Sequence, residues 1–210
     1  MTEAQLRREL CDYARLMYDR DYVTGSEGNV SCLLPGGRML ITPSRAVKHF
    51  LRPSDLVVTD MQGRKIGGKR NASTERFTHL AVYRDTAAAR AIVHAHPEHT
   101  LLFSAAGENP FAGAYLSESA MFVRNVCFLP FALPSTDESA KLVEGHCEGT
   151  NVIVLERHGT FTWGQDIASA FCQLEVLEKT ARIAWKARAA NLTLRQLPQE
   201  ALDALRAVKY

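Results

Sequence analysis

Leu6, Leu10, Tyr13 and Met17 recur at helical spacing and predict an amphipathic helix over residues 3–20. After the polar loop at residues 24–29 the period changes from helical to alternating. Val30, Cys32 and Leu34 alternate, Pro35-Gly36-Gly37 turns the chain, and Met39-Leu40-Ile41 returns, which predicts a hairpin. Residues 56–59 and Lys65-Ile66 flank Asp60-Met61-Gln62-Gly63 as a second hairpin. Ser73 is placed to cap a helix running through Tyr83. Ala91-Ile92-Val93 then reads as a strand, and residues 98–106 as a helix stopped by Gly107. A strand over residues 125–131 follows, then Ser135 and Glu138 at capping-box spacing before a helix to about Cys147. Val152-Ile153-Val154-Leu155 and residues 160–164 read as two further strands. Ile167, Phe171, Leu174, Leu177, Ala181 and Ala184 mark a long helix, and a last helix runs from Gln199 nearly to Tyr210. Early hairpins followed by helix-separated strands predict an α/β fold. Its three layers have helices on both faces of a central mixed, mostly antiparallel sheet. No Gly-rich strand-to-helix opening is present, which disfavours a dinucleotide fold.

Composition narrows this further. At 210 residues, 46% hydrophobic and 23% charged, the chain fits one globular domain spanning residues 1–210. A net charge of +2 from scattered Lys and Arg points away from nucleic acid. Five cysteines, with no Cys-x-x-Cys pair, suit a reducing cytoplasm rather than a disulfide framework. The N-terminal stretch is too charged for a signal peptide, and no apolar run approaches the roughly 18 residues of a membrane span.

The chemistry concentrates in histidines. In His94-Ala95-His96, at the end of a strand, both rings point to one face, about 6.6 Å apart at Cα, so both can reach one metal. Pro97 stops that strand, and His158, in Arg157-His158-Gly159, follows another. Two strands ending at the same sheet edge bring the three rings together, and three imidazoles can hold a zinc-like cation with positions left open. The competing reading is a pair of polar residues on a wet face. Asn71-Ala72-Ser73-Thr74-Glu75 opens a helix with two hydroxyls and free N–H groups, which suits a phosphate. A plain cap explains Ser73 equally, and the helix dipole explains Glu75. Gly28-Asn29-Val30-Ser31 and Thr42-Pro43-Ser44-Arg45 are further loops rich in small donors.

Taken in order, Gly-Asn-Val-Ser, Thr-Pro-Ser, Ser-Thr-Glu, His-Ala-His and His-Gly resemble the class II aldolase/adducin family over about residues 5–190. Its members include aldolases of L-fuculose 1-phosphate and L-rhamnulose 1-phosphate, an L-ribulose-5-phosphate epimerase, a methylthioribulose-1-phosphate dehydratase and decarboxylases. The resemblance, nearest to the fuculose-phosphate branch, implies that His94, His96 and His158 hold one zinc ion per chain. Glu75 would be a fourth ligand that swings away to act as the catalytic acid/base. Asn29, Ser44, Ser73 and Thr74 would bind the substrate's phosphate, with Gly28 and Arg45 as further substrate-binding candidates in the same loops. Tyr115 would protonate the aldehyde oxygen from a neighbouring subunit of a homotetramer with active sites at its interfaces, and Tyr210 would close over the adjacent site. The implied reaction cleaves a phosphorylated ketose into dihydroxyacetone phosphate and an aldehyde through a metal-stabilised enediolate. Dehydration or decarboxylation of a related sugar phosphate or sugar-acid phosphate is the alternative. A non-catalytic adducin-like module predicts degraded ligands, whereas all four are present. No lysine sits in these motifs, which argues against Schiff-base chemistry. Arg45 departs from the fuculose-phosphate pattern, which has glycine there. It either grips an anion bidentately or points to solvent. Glu75, where the epimerase branch carries aspartate, disfavours epimerisation. His79, one helical turn after Glu75, can orient it, but packing is the reading adopted, as for His49, His99 and His146. Phe171 and Trp185 are assigned to the core.

Overall fold

A computed structural model describes residues 1–123 and 125–208 of the chain. The strands are β1 (Asn29–Leu34), β2 (Arg38–Ile41), β3 (Val57–Asp60), β4 (Lys65–Gly67), β5 (Ala91–Ala95), β6 (Asn125–Leu129), β7 (Thr150–Leu155) and β8 (Gly159–Gly164). The helices are α1 (Glu3–Asp19), α2 (Arg76–Asp85), α3 (Glu98–Ala105), α4 (Ser117–Phe122), α5 (Asp137–Val143), α6 (Ile167–Ala189) and α7 (Gln199–Ala207). The strands form one sheet in the order β4-β3-β2-β1-β5-β8-β7-β6, antiparallel throughout except for the β6–β7 pair.

Side-chain alternation divides the sheet into two faces. Val30, Cys32, Leu34, Leu40, Val93 and Ala95 pack with Leu10, Ala14 and Met17 of α1 and Phe171 and Leu174 of α6. Their immediate neighbours along the strands, Met39, Ile41 and Ile92, face the other way with Ile153, Phe161 and Trp163. There they pack against Leu80 and Tyr83 of α2 and Ala140 and Val143 of α5. Helices therefore cover both faces, as the period-2 pattern predicts. The hairpin turns also fall where expected, with Gly36 and Gly37 both at positive φ.

Several local expectations are corrected. The N-cap of α2 is Glu75, not Ser73. The Ser73 hydroxyl accepts from the Glu75 backbone N–H (3.3 Å) and the first helical residue is Arg76. Thr136, not Ser135, caps α5, which ends at Val143 rather than near Cys147. β6 stops at Leu129, because Pro130 has no N–H to give a ladder. The short α4 was not foreseen; with six residues it carries too little periodicity to read. Trp185 is exposed and lies edge-on to His99 rather than in the core. Tyr210 lies outside the described residues. All five cysteines are unpaired, and no helix among the described residues is long and apolar enough to cross a membrane.

One buried carboxylate fixes the chain just after the His94–His96 strand. Glu178 of α6 accepts from the His99 and Thr100 backbone N–H groups at 2.8 and 3.0 Å, and from the Thr100 hydroxyl and His99 Nδ1 at 2.9 and 2.6 Å. It thus satisfies two donors that the first turn of α3 leaves open. Glu178→Ala is expected to destabilise the protein by about 2–4 kcal/mol, since two buried N–H groups lose a charged acceptor. Urea unfolding monitored by circular dichroism measures the difference, and a change below about 1 kcal/mol would show that water replaces the carboxylate.

Candidate metal centre

β5 pairs antiparallel with β8, setting His94 opposite Phe161 and Ala95 opposite Thr160. β5 thus ends beside the tight β7–β8 turn, and His158 occupies that turn. On the other side, β1 sets Asn29 opposite His94. Three strands therefore deliver His94, His96, His158 and Asn29 to one sheet edge, and α2 begins there with Glu75.

The ring nitrogens of His94, His96 and His158 lie within 4.8 Å of one another. His94 is fully buried, stacked on Phe161 with centroids 4.1 Å apart. Its Nδ1 donates to the Thr160 carbonyl at 2.9 Å, so Nε2 is left as a lone pair facing inward. That nitrogen lies 3.1 Å from His96 Nε2 and 3.2 Å from Glu75 Oε2. Glu75 Oε1 lies 3.0 Å from His158 Nε2 but receives no aligned hydrogen bond. Inward-facing acceptors at this spacing repel unless a cation stands between them. Two nitrogens each about 2.0–2.1 Å from a tetrahedral zinc-sized ion are roughly 3.3 Å apart, close to the His94–His96 separation. The donor set, three imidazoles and one carboxylate, fits a divalent metal of borderline softness.

Burial works against charge on Glu75; positive charge on the His94 and His158 side of the cluster, as protonated rings or as a cation in their place, holds its carboxyl below the ordinary carboxylate range. A directed chain of hydrogen bonds reinforces this. Asn29 Nδ2 donates to Glu75 Oε2 at 2.7 Å, which turns the amide oxygen to His79 Nε2, 2.5 Å away. An oxygen acceptor there requires the proton on Nε2, so His79 Nδ1 accepts from the Ser31 hydroxyl at 2.7 Å. With its proton committed, Ser31 accepts from Tyr83 across 2.8 Å. Every proton in the chain Tyr83, Ser31, His79, Asn29 thus points toward Glu75. Burial pushes the His79 ring down to about 3, consistent with a neutral donor.

A cavity of about 480 Å³ opens on this cluster, lined by Gly28, Asn29, Ser44, Arg45, Ser73, Thr74, Glu75, His96 and His158. The expected residues are brought together, apart from buried His94 behind the wall and Tyr115. The latter lies between α3 and α4 and is not among the cavity's lining residues. Asn29, expected as a phosphate ligand, has its amide engaged by Glu75 and His79. Two glycines in the motifs have steric reasons. Gly28 has φ +66°, and a Cβ there would sit 2.7 Å from the His94 carbonyl; a Cβ on Gly159 would meet the His96 and His94 rings at 2.6 and 2.9 Å.

The residue reading missed three participants. His79 carries the chain described above, its only signal being its place four residues after Glu75. Glu27 brings a carboxylate to 3.6 Å from His96 Nδ1. Lys48, pushed down to about 8 by burial, ties two loops by donating to Ser26 O and Ala46 O at 2.9 and 2.7 Å. No periodicity marks either of the last two.

Residues 8–185 match the family model described as Class II Aldolase and Adducin N-terminal domain. The chain is 32% identical over 176 residues to the L-fuculose phosphate aldolase of Methanococcus vannielii, covering 84% of this chain and 93% of that one. It is 30% identical over 189 residues to the 3-oxo-tetronate 4-phosphate decarboxylase of Cupriavidus necator, covering 87% and 84%. The crystal structure of YgbL from Klebsiella pneumoniae superposes with a TM-score of 0.91 at 33% identity, covering 98% of this chain and 100% of that one.

Gly159→Ala is expected to displace the His94 and His96 rings and to push the β8 start away from the Ala95 carbonyl, which its Cβ would meet at 2.7 Å, so folding is checked first by circular dichroism. Metal bound per chain, read by elemental analysis, should fall at least tenfold; full occupancy would mean the rings can move aside at no cost. The low pKa of His79 also fixes a pH dependence. The unfolded chain takes up this proton near 6.5 and the native protein resists it until about 3. Its contribution is therefore complete above pH 6.5 and is lost as pH falls toward 3, by up to about 1.4 kcal/mol per pH unit. In metal-free protein His79→Phe should flatten that slope by close to one proton, and unchanged slopes in urea titrations at pH 7 and 5 would contradict it.

Proposed function

The chain belongs to the class II aldolase and adducin family, and on that premise we propose that it is a zinc-dependent lyase cleaving a phosphorylated ketose, such as L-fuculose 1-phosphate, into dihydroxyacetone phosphate and an aldehyde. The observation that carries this reading is the buried cluster of His94, His96, His158 and Glu75 opening into a cavity whose far wall presents hydroxyls and a cation. A bound divalent cation supplies Lewis-acid stabilisation of the negative charge that develops next to a carbonyl. The protein's own groups supply the rest. Ser44, Ser73 and Thr74 offer short hydroxyl donors to a phosphate, and Arg45 a charged one. Glu75, ionised and aimed by Asn29, moves the proton. The family resemblance implies a cyclic homotetramer with active sites at its interfaces, and we assign Tyr115, which does not line the cavity of its own subunit, to a neighbour's site in it.

Decarboxylation of a phosphorylated 3-oxo sugar acid is the second reading. It passes through the same kind of charge beside a carbonyl. Two observations favour it: the Cupriavidus necator relative and Arg45 at the cavity wall, where a planar guanidinium can take a carboxylate.

Zinc-loaded protein is tested against ketose 1-phosphates, 3-oxo-tetronate 4-phosphate and methylthioribulose 1-phosphate, with products identified by mass. Dihydroxyacetone phosphate is expected from a ketose 1-phosphate; carbon dioxide from the sugar acid alone would select the second reading. Glu75→Gln should lower kcat by about 10²–10⁴-fold for whichever substrate turns over, as for loss of a general acid/base. Near wild-type turnover in that variant would leave Glu75 as a metal ligand only.

A further inference from the structure

A second and larger cavity, about 780 Å³, adjoins the first and shares Ser44, Arg45 and Thr74 with it. Its charged lining is entirely cationic: Arg45, Lys65, Lys69, Arg70 and Arg76, with no carboxylate. Among the described residues none of these five side chains forms an ion pair. Lys65 and Arg70 reach only backbone carbonyls, of Arg70 at 3.3 Å and Ser44 at 3.5 Å. Arg76 is held by the Gly63 and Ser73 carbonyls at 2.9 and 3.2 Å, with its guanidinium 4.2 Å above the Phe77 ring centre. On a chain whose net charge is only +2, five uncompensated cations around one concavity are a local concentration that repels itself.

The frame is built rather than incidental. Pro43 and Ala72 form an isolated β-bridge, and Ser44 N and Ser73 N donate to Asn71 O and Thr42 O at 3.0 and 3.2 Å. These bonds lock the two loops that separate the cavities. Arg45 itself stands at φ +55°, a left-handed backbone that costs a non-glycine residue about 1–2 kcal/mol. Strain kept beside a charged concavity points to a use for the side chain.

We propose that this cavity is a second anion site, separate from the Glu75–histidine cluster, that binds a phosphate or carboxylate group of a small, multiply anionic molecule. The group comes either from the far end of the molecule occupying the catalytic cavity or from a separate effector. The site stands apart from the reaction assigned above, because none of Lys65, Lys69, Arg70 or Arg76 lines the catalytic cavity.

Calorimetric titration of the zinc-loaded protein with inorganic phosphate at low ionic strength tests it. The wild type should bind two phosphates per chain. Lys65→Gln/Lys69→Gln, both exposed positions, should lose one of them or weaken it at least tenfold, with circular dichroism unchanged. Ser73→Ala, at a residue that lines the catalytic cavity alone, should weaken the other. Loss in the second variant alone, with the first unaffected, supports the catalytic phosphate pocket and overturns this proposal. Two sites with the second variant silent keeps this proposal and counts against the phosphate role of Ser73. Propane-1,3-diol bisphosphate separates the two sources. One probe per chain bound at least tenfold tighter than phosphate indicates groups of a single molecule. Binding no tighter than phosphate indicates an independent anion. One phosphate per chain, untouched by Lys65→Gln/Lys69→Gln, overturns the site.

Discussion

The site rests on a charge that has no business being buried unless it is surrounded. Glu75 sits with its carboxylate between His94 and His158, mostly removed from water. An isolated buried carboxylate neutralises itself or unfolds its surroundings. Here a chain of neutral donors ends on it, and the flanking imidazoles can hold the cation that would balance its charge. The same enclosure explains why the neighbouring nitrogens need a metal. With Nδ1 of His94 committed to Thr160, its Nε2 lone pair has only the His96 ring and the carboxylate to face. A cation held by His94, His96, His158 and Glu75 would relieve that mutual repulsion.

Much of the surrounding structure follows from supporting this charge. Asn29 and Ser31 alternate with the apolar Val30 and Cys32, so they share one face of β1. Glu75, His79 and Tyr83 recur every fourth residue, so they share one face of the helix start and of α2. A period of two on the strand meets a period of four on the helix, and the donor chain is the product of that match. Such a network is stabilising only when complete. Removing one member strands its buried partners, at about 1–3 kcal/mol per unmet group. The low pKa of His79 is part of this logic, since a charged ring would need a second acceptor where Ser31 instead supplies a proton.

The sheet, its hairpins and both helical layers were legible because each element of adequate length repeats its apolar period. The His94–His96 pair was legible for a different reason: a strand end fixes the direction of its last side chains, and the two flank a single residue; Glu75, which the helix dipole alone could explain, was picked out only by the resemblance of the ordered motifs. Boundaries were less so. Ser73 reads as a helix cap because serine usually is one, yet the β-bridge between Pro43 and Ala72 draws the chain aside and the helix starts after Glu75. Lys48 and Glu27 were invisible because their contacts cross between loops, where no period exists. His79 was half legible: its spacing from Glu75 was apparent, but not that Asn29 would stand between them. Asn29 comes from a strand 46 residues earlier in the chain, brought opposite His94 by register alone.

The bridge between Pro43 and Ala72 also couples two sides of the cavity that opens on the histidine cluster. The loop carrying Ser44 and Arg45 and the loop carrying Ser73, Thr74 and Glu75 are one mechanical unit, tied by the bridge and two flanking hydrogen bonds. A group that pulls on the hydroxyls of one loop therefore acts on a body that also holds the carboxylate. At position 45 glycine would meet the left-handed backbone without strain, and this chain carries arginine instead. Because Arg45 lines both cavities, its guanidinium stands where the hydroxyl-lined pocket and the cationic one meet. An anion at that boundary would meet a guanidinium carried by the strained loop, and the loop junction is where this sequence departs from the glycine of the fuculose-phosphate pattern.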